Sequence, residues 1–149
     1  MRVLAIVQAY NSHHPSGSFI VEWMDKLAER ADQLVILALE KGQDASRSNI
    51  KIYSLGKERY RGFGCRFYYL WRWHRNIKSA LADGKTDVVF THMTPLYSLL
   101  AYPYVFRKGI PIVTWFLHPQ SSLILKVAHF CSAKVVSAMP TTYPYKKNK

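Results

Sequence analysis

Two histidines stand at the ends of short apolar runs. His92 follows Asp87-Val88-Val89-Phe90-Thr91, and His118 follows Ile110 to Leu117. An imidazole at a strand end can hydrogen-bond a hydroxyl, shuttle a proton or meet a phosphate. A single histidine there is readily incidental; two at equivalent positions favour a functional reading. A third candidate is the polar loop from Asn11 to Ser18, which carries Ser16-Gly17-Ser18 just before an amphipathic segment. Glycine lets backbone approach a ligand closely, and the free amides of a helix start favour an anion. The same serines also suit an ordinary helix cap. The adjacent pair His13-His14 lacks the convergent ligands that a metal needs, so no metal site is expected.

Several chemistries drop out. No GxGxxG and no Walker A sequence occurs, which removes nicotinamide-dependent and P-loop ATP chemistry. No acidic residue follows Asp87. Asp83 and Asp87 flank a turn that precedes a strand, the wrong edge for a paired-carboxylate hydrolase. Neither a Ser/His/Asp nor a Cys/His arrangement can be named. Cys65 and Cys131 show no CxxC spacing and read as reduced, largely buried thiols.

The elements that must position these residues follow from apolar periodicity. Of the 149 residues 49% are hydrophobic, enough for one domain with a sizeable core. Strands are expected at Val3–Val7, Leu34–Leu39, Ile50–Leu55, Asp87–Phe90, Ile110–Phe116 and Lys134–Ser137. Helices are expected at Phe19–Arg30, Arg66–Leu81, Leu96–Arg107 and Ser121–Cys131, with Pro95 opening the third and Pro103 kinking or shortening it. In the first helix Phe19, Ile20, Trp23, Met24 and Leu27 form the apolar stripe; in the second Phe67, Leu70, Trp71, His74, Ile77 and Leu81 do. Two stretches without charge, Val88–Phe106 and Gly109–Leu125, are broken by His, Pro or Gln and read as strand–loop–helix, not as membrane spans. Alternation of strand and helix predicts a doubly wound, mostly parallel α/β sheet with helices on both faces. Such folds bind ligands beyond the carboxyl ends of their strands, where His92, His118 and the first loop would lie. The basic tail from Tyr145 to Lys149 is expected to fray.

The net charge of +12 favours anionic partners. It is concentrated between Lys57 and Lys78, where seven cations face one acid, Glu58, and aromatic residues are interleaved. Arg66, Tyr69, Arg72, Trp73 and Arg75 lie off the apolar stripe of the second helix. Exposed aromatics beside arginine suit the surface of an anionic bilayer. A solvated basic face over buried aromatics is the plainer alternative. Stacking on single-stranded nucleic acid is the weakest reading, since no RNA-binding signature accompanies it.

Taken in order, these segments resemble a known family. Arg2-Val3-Leu4-Ala5-Ile6-Val7 with Ser16-Gly17-Ser18-Phe19, Asp87-Val88-Val89-Phe90-Thr91-His92, Pro111-Ile112-Val113-Thr114-Trp115-Phe116-Leu117-His118 and Ala133-Lys134-Val135-Val136-Ser137 are similar to the N-terminal domain of family 4 glycosyltransferases. The resemblance spans nearly the whole chain. It implies a Rossmann-like, acceptor-side half of a GT-B fold comprising residues 1–149, whose partner is a C-terminal donor-binding domain or subunit. It implies transfer with retention from a UDP- or GDP-sugar to a glycan or lipid-linked acceptor, without a required metal. His118 would serve at the catalytic centre. Ser16, Gly17 and Ser18 would lie near the donor phosphate, and His92, Asn11 and His14 on the acceptor side. A double glycine is common in the family's first loop, whereas here serines flank Gly17. With no donor-binding domain after Lys149, the chain alone is expected to be inactive, bind no cofactor, and reside in the cytoplasm, peripherally at the inner face of the membrane. A non-catalytic subunit that partners a separately encoded donor-binding chain is the competing reading.

Overall fold

The apolar run near the N-terminus becomes the inner strand on which the sheet is built. In the computed structural model, which describes residues 1–13 and 18–145, β1 (Arg2–Tyr10) pairs with β2 (Gln33–Lys41) on one side and with β4 (Val88–His92) on the other. β3 (Ile50–Ser54) extends the β2 edge, while β5 (Ile112–Trp115) and β6 (Lys134–Val136) extend the β4 edge. The order is β3-β2-β1-β4-β5-β6, and every pairing is parallel. The doubly wound α/β sheet expected from the sequence is therefore present. Val3 to Val7 are almost wholly buried because β1 has a neighbour on each side and helices above and below.

α1 (Ser18–Ala28) covers one face, burying Ile20, Val21 and Met24 over Val3, Ala5, Leu34 and Ile36. α2 (Cys65–Ala82) and α3 (Pro95–Val105) cover the other, packing on Leu4, Ile6, Val35, Leu37 and Val89. α4 (Leu123–Cys131) joins them there. Its start is capped by Ser122, whose hydroxyl accepts the Leu125 amide at 3.1 Å. A buried hydroxyl chain, Ser98 and Thr91 to Thr114 to Ser132 at 2.7–3.0 Å, ties α3, β4, β5 and the end of α4 together. This division follows from handedness: right-handed crossovers to the left and to the right of β1 place their helices on opposite faces. On the α1 side the faces of β4 and β5 are left partly open. Val88, Phe90 and Val113 line a groove there of about 470 Å³ beside Trp23 and Met24.

Pro103 does not break α3, which continues to Val105 and tightens into a 3-10 turn at Phe106–Lys108. Cys65 is half-buried and Cys131 buried, and the two are not joined in a disulfide. Of the tail expected to fray, residues 146–149 lie outside the described residues.

The orientation of α2 departs from expectation. Its buried face is Trp73, Asn76, Ile77, Ala80 and Leu81. Trp73 is therefore a core residue and not part of a surface patch; it is 3% exposed and stacks on Tyr97 at 5.9 Å. Arg72 is drawn half inward, where its guanidinium donates to the Ser54 carbonyl at 2.7 Å. Tyr69 is half-buried and donates to the Tyr60 carbonyl. Arg66 and Arg75 are exposed, as are Phe67, Leu70 and Trp71 from the stripe assigned to the core. The reason is where the helix begins: its first turns overhang the end of β3, and only its second half lies over the sheet.

Candidate functional site

Going down β4, side chains alternate between faces. Thr91 enters the hydroxyl chain on the α3 side, so His92 points to the α1 side. There it meets Trp115, its register partner on β5, and Phe19 and Trp23 from α1. Trp23 is the hub. Its ring sits edge-on 5.6 Å from Phe19, 5.7 Å from His92 and 5.1 Å from Trp115. These rings wall a cavity of about 530 Å³, completed by Gln8 and Ala9 from β1, Ile20, Met93, Leu117 and Ala138. The cavity lies at the carboxyl ends of β1 and β4, which is the topological switch point of this sheet and the place where doubly wound folds bind ligands.

Backbone strain marks the same spot. Met93 has φ 60°, the only non-glycine residue with positive φ among those described. Its amide donates to the Trp115 carbonyl at 2.8 Å, and the Thr94 amide reaches back to the His92 carbonyl at 2.8 Å. The result is a tight three-residue turn that ends β4 and swings the chain into α3, with Pro95 in its first turn. Strain of this kind concentrates at functional sites.

His92 is 5% exposed, and its Nε2 is buried without a hydrogen-bond partner. Burial among aromatic rings lowers its pKa to about 4. The imidazole is thus neutral near pH 7 and lines the cavity without bringing a charge.

The structure places the other candidates variously. Ser18 is the exposed first residue of α1, at the same end of the sheet as the cavity. His14, Ser16 and Gly17 lie outside the described residues. Asn11 accepts the His13 amide at 3.0 Å and packs against Gly42, so its side chain closes the loop after β1 and is not among the cavity-lining residues. His118 is exposed on the loop after β5, one residue beyond Leu117, and its Nδ1 accepts the Gln120 amide at 3.4 Å. Phe19, Trp23 and Trp115 are site residues that sequence reasoning assigned to core or strand, and Met93 lies in the loop after β4 without having been singled out. Among the described residues no group of three or more His, Cys, Asp or Glu side chains could hold a metal ion.

Strand order, switch-point cavity and helix placement define a Rossmann-like, doubly wound α/β domain of the kind found in each half of a GT-B fold. Solved structures of that class superpose on the chain. MurG from Acinetobacter baumannii matches with a TM-score of 0.59 and 17% identity, over 97% of this chain and 43% of that one. The lipopolysaccharide outer core galactosyltransferase WaaB matches with a TM-score of 0.60 and 12% identity, over 91% and 38%. UDP-GlcNAc 2-epimerase from Methanocaldococcus jannaschii matches with a TM-score of 0.58 and 10% identity, over 95% and 40%. The chain thus spans less than half the length of each. At such identities the likeness establishes the fold; the chemistry must be argued from the site. No family model and no curated protein matches the chain.

Proposed function

We propose that this chain is the acceptor-side half of a GT-B glycosyltransferase. It would hold a glycan or lipid-linked acceptor while a donor-binding domain or subunit presents a UDP- or GDP-sugar. The observation that carries this reading is the aromatic cavity at the β1/β4 switch point. Trp23, Trp115 and Phe19 offer ring surface to the apolar face of a sugar, and a neutral His92 suits hydroxyl recognition better than ion pairing. The opening of α1 beside the cavity suits a donor phosphate, and His118, exposed on the loop after β5, would meet the transferring sugar once a second domain closes over it.

What the lining lacks supports the division of labour. None of its residues is Arg or Lys, so the negative charge of a departing diphosphate would be met from the partner domain. None is Asp or Glu, and a histidine with a pKa near 4 is a poor general base at neutral pH. The groove on the α1 face offers that partner an apolar surface, since parallel sheets are ordinarily covered on both faces.

The test uses the chain with and without a donor-binding GT-B lobe. Alone it is expected to give no transfer from UDP- or GDP-hexoses, while glycan acceptors change the emission of Trp23 and Trp115. With the lobe supplied in trans or by fusion, transfer appears, and His92→Ala lowers it roughly tenfold to a hundredfold. Full transfer by the chain alone would overturn the half-enzyme reading. Acceptor binding indifferent to both His92→Ala and Trp115→Ala would overturn the site. Acceptor binding without transfer under any pairing would favour the non-catalytic subunit.

A further inference from the structure

The stripe that α2 turns away from the core is the least expected surface of the molecule. Phe63 is fully exposed, Phe67 is 81% exposed, Leu70 51% and Trp71 55%. Phe67, Leu70 and Trp71 lie along one side of the first turns of the helix, and Phe63 sits in the turn just before it. Large apolar side chains gathered in this way mark an interaction surface. Arg66 lies beside them, and the guanidinium of Arg75 sits 4.7 Å over the Trp71 ring. The one acid of the segment, Glu58, is turned inward, where it accepts from the Ser54 hydroxyl and the Lys41 amide. The exposed stripe is therefore apolar, aromatic and cationic, with no acid to neutralise it.

We infer that this face of α2 docks on an anionic membrane, its apolar side chains entering the interface and its arginines meeting lipid phosphates. Charge complementarity selects the occupant, because a bare apolar face rimmed by arginine fits anionic headgroups over acyl chains. Phenylalanine and leucine offer a nucleic acid little beyond stacking. The surface differs from the one expected from sequence: Trp73, Tyr69 and Arg72 are turned inward, and Phe63, Phe67, Leu70 and Trp71 take their place. α2 starts beyond the end of β3, so the stripe lies at the same edge of the sheet as the aromatic cavity, where a lipid-borne acceptor would be within the reach of one molecule. The membrane face does not depend on the sugar-transfer reading and is tested separately.

Flotation with vesicles of phosphatidylcholine, with and without phosphatidylglycerol, decides it. The chain is expected to float with anionic vesicles only, and less so as salt rises. Arg66→Glu and Arg75→Glu should each weaken binding roughly fivefold. Phe67→Ser combined with Trp71→Ser should abolish it while leaving the melting temperature near that of the parent, which separates lost docking from lost folding. The inference is overturned if anionic vesicles do not bind the chain, or if the double variant still floats. It is equally overturned if the double variant instead abolishes self-association or a shift of single-stranded RNA while flotation is absent throughout.

Discussion

At the scale of single residues, His92 carries the most testable consequence. Its folded pKa of about 4 lies below the ordinary 6.5, so the unfolded chain takes up a proton first. As pH falls from about 6.5 to about 4 the folded state loses stability, and below that the loss levels off; the full effect is on the order of 3 kcal/mol. His92→Phe keeps an aromatic ring and removes the titration. Melting curves should show the gap between pH 7.5 and pH 4.5 shrinking in the variant, and an unchanged gap would place the acid sensitivity elsewhere. The position of His92 was legible because a histidine ending a β run in this fold points at the ligand edge. Its neighbours were not. Trp23 belongs to a good helical stripe and so looks like core, and Met93 gives no sign in sequence of adopting a left-handed backbone that glycine or asparagine usually takes.

At the scale of elements, α2 shows where apolar periodicity stops being decisive. Two stripes run along this helix, one through Phe67, Leu70 and Trp71 and the other through Trp73, Asn76, Ile77 and Ala80. Both have helical spacing, and the first is the more apolar. Tertiary placement chose the second, because it can reach Leu55, Tyr97 and the sheet. The consequence can be measured in one pair of substitutions. Trp73→Ala should cost about 3–5 kcal/mol in chemical denaturation, as expected for an emptied core site. Trp71→Ala should stay within about 1 kcal/mol, since its ring is half in solvent. Equal costs would contradict the orientation described. The six strands and four helices themselves were all legible, with ends differing by one to a few residues, because each apolar run is bounded by glycine, proline or charge.

At the scale of the whole molecule, sheet order was only partly legible, since alternation establishes parallel pairing but not which strand sits beside which. The structure puts β1 beside β4, and Arg2 makes that join explicit. Its amide donates to Asp87, 85 positions later, and its buried guanidinium donates to the carbonyls of Ala80 and Gly84 and to Thr86. β1 is thus an inner strand of the sheet, and its second neighbour is not synthesised until β2, β3 and α2 have been made. During translation the open edge of β1 must wait at the ribosome, an interval in which a helper that shields strand edges has most to offer. Chains ended near residue 86 should be cut rapidly by protease within β1 and β2, whereas chains ended after β6 should resist; equal resistance would show that β1 and β2 with their helices are self-sufficient. The crevice at the switch point does not exist at all before β4 arrives, so whatever it binds can act only on a chain that already extends past that strand.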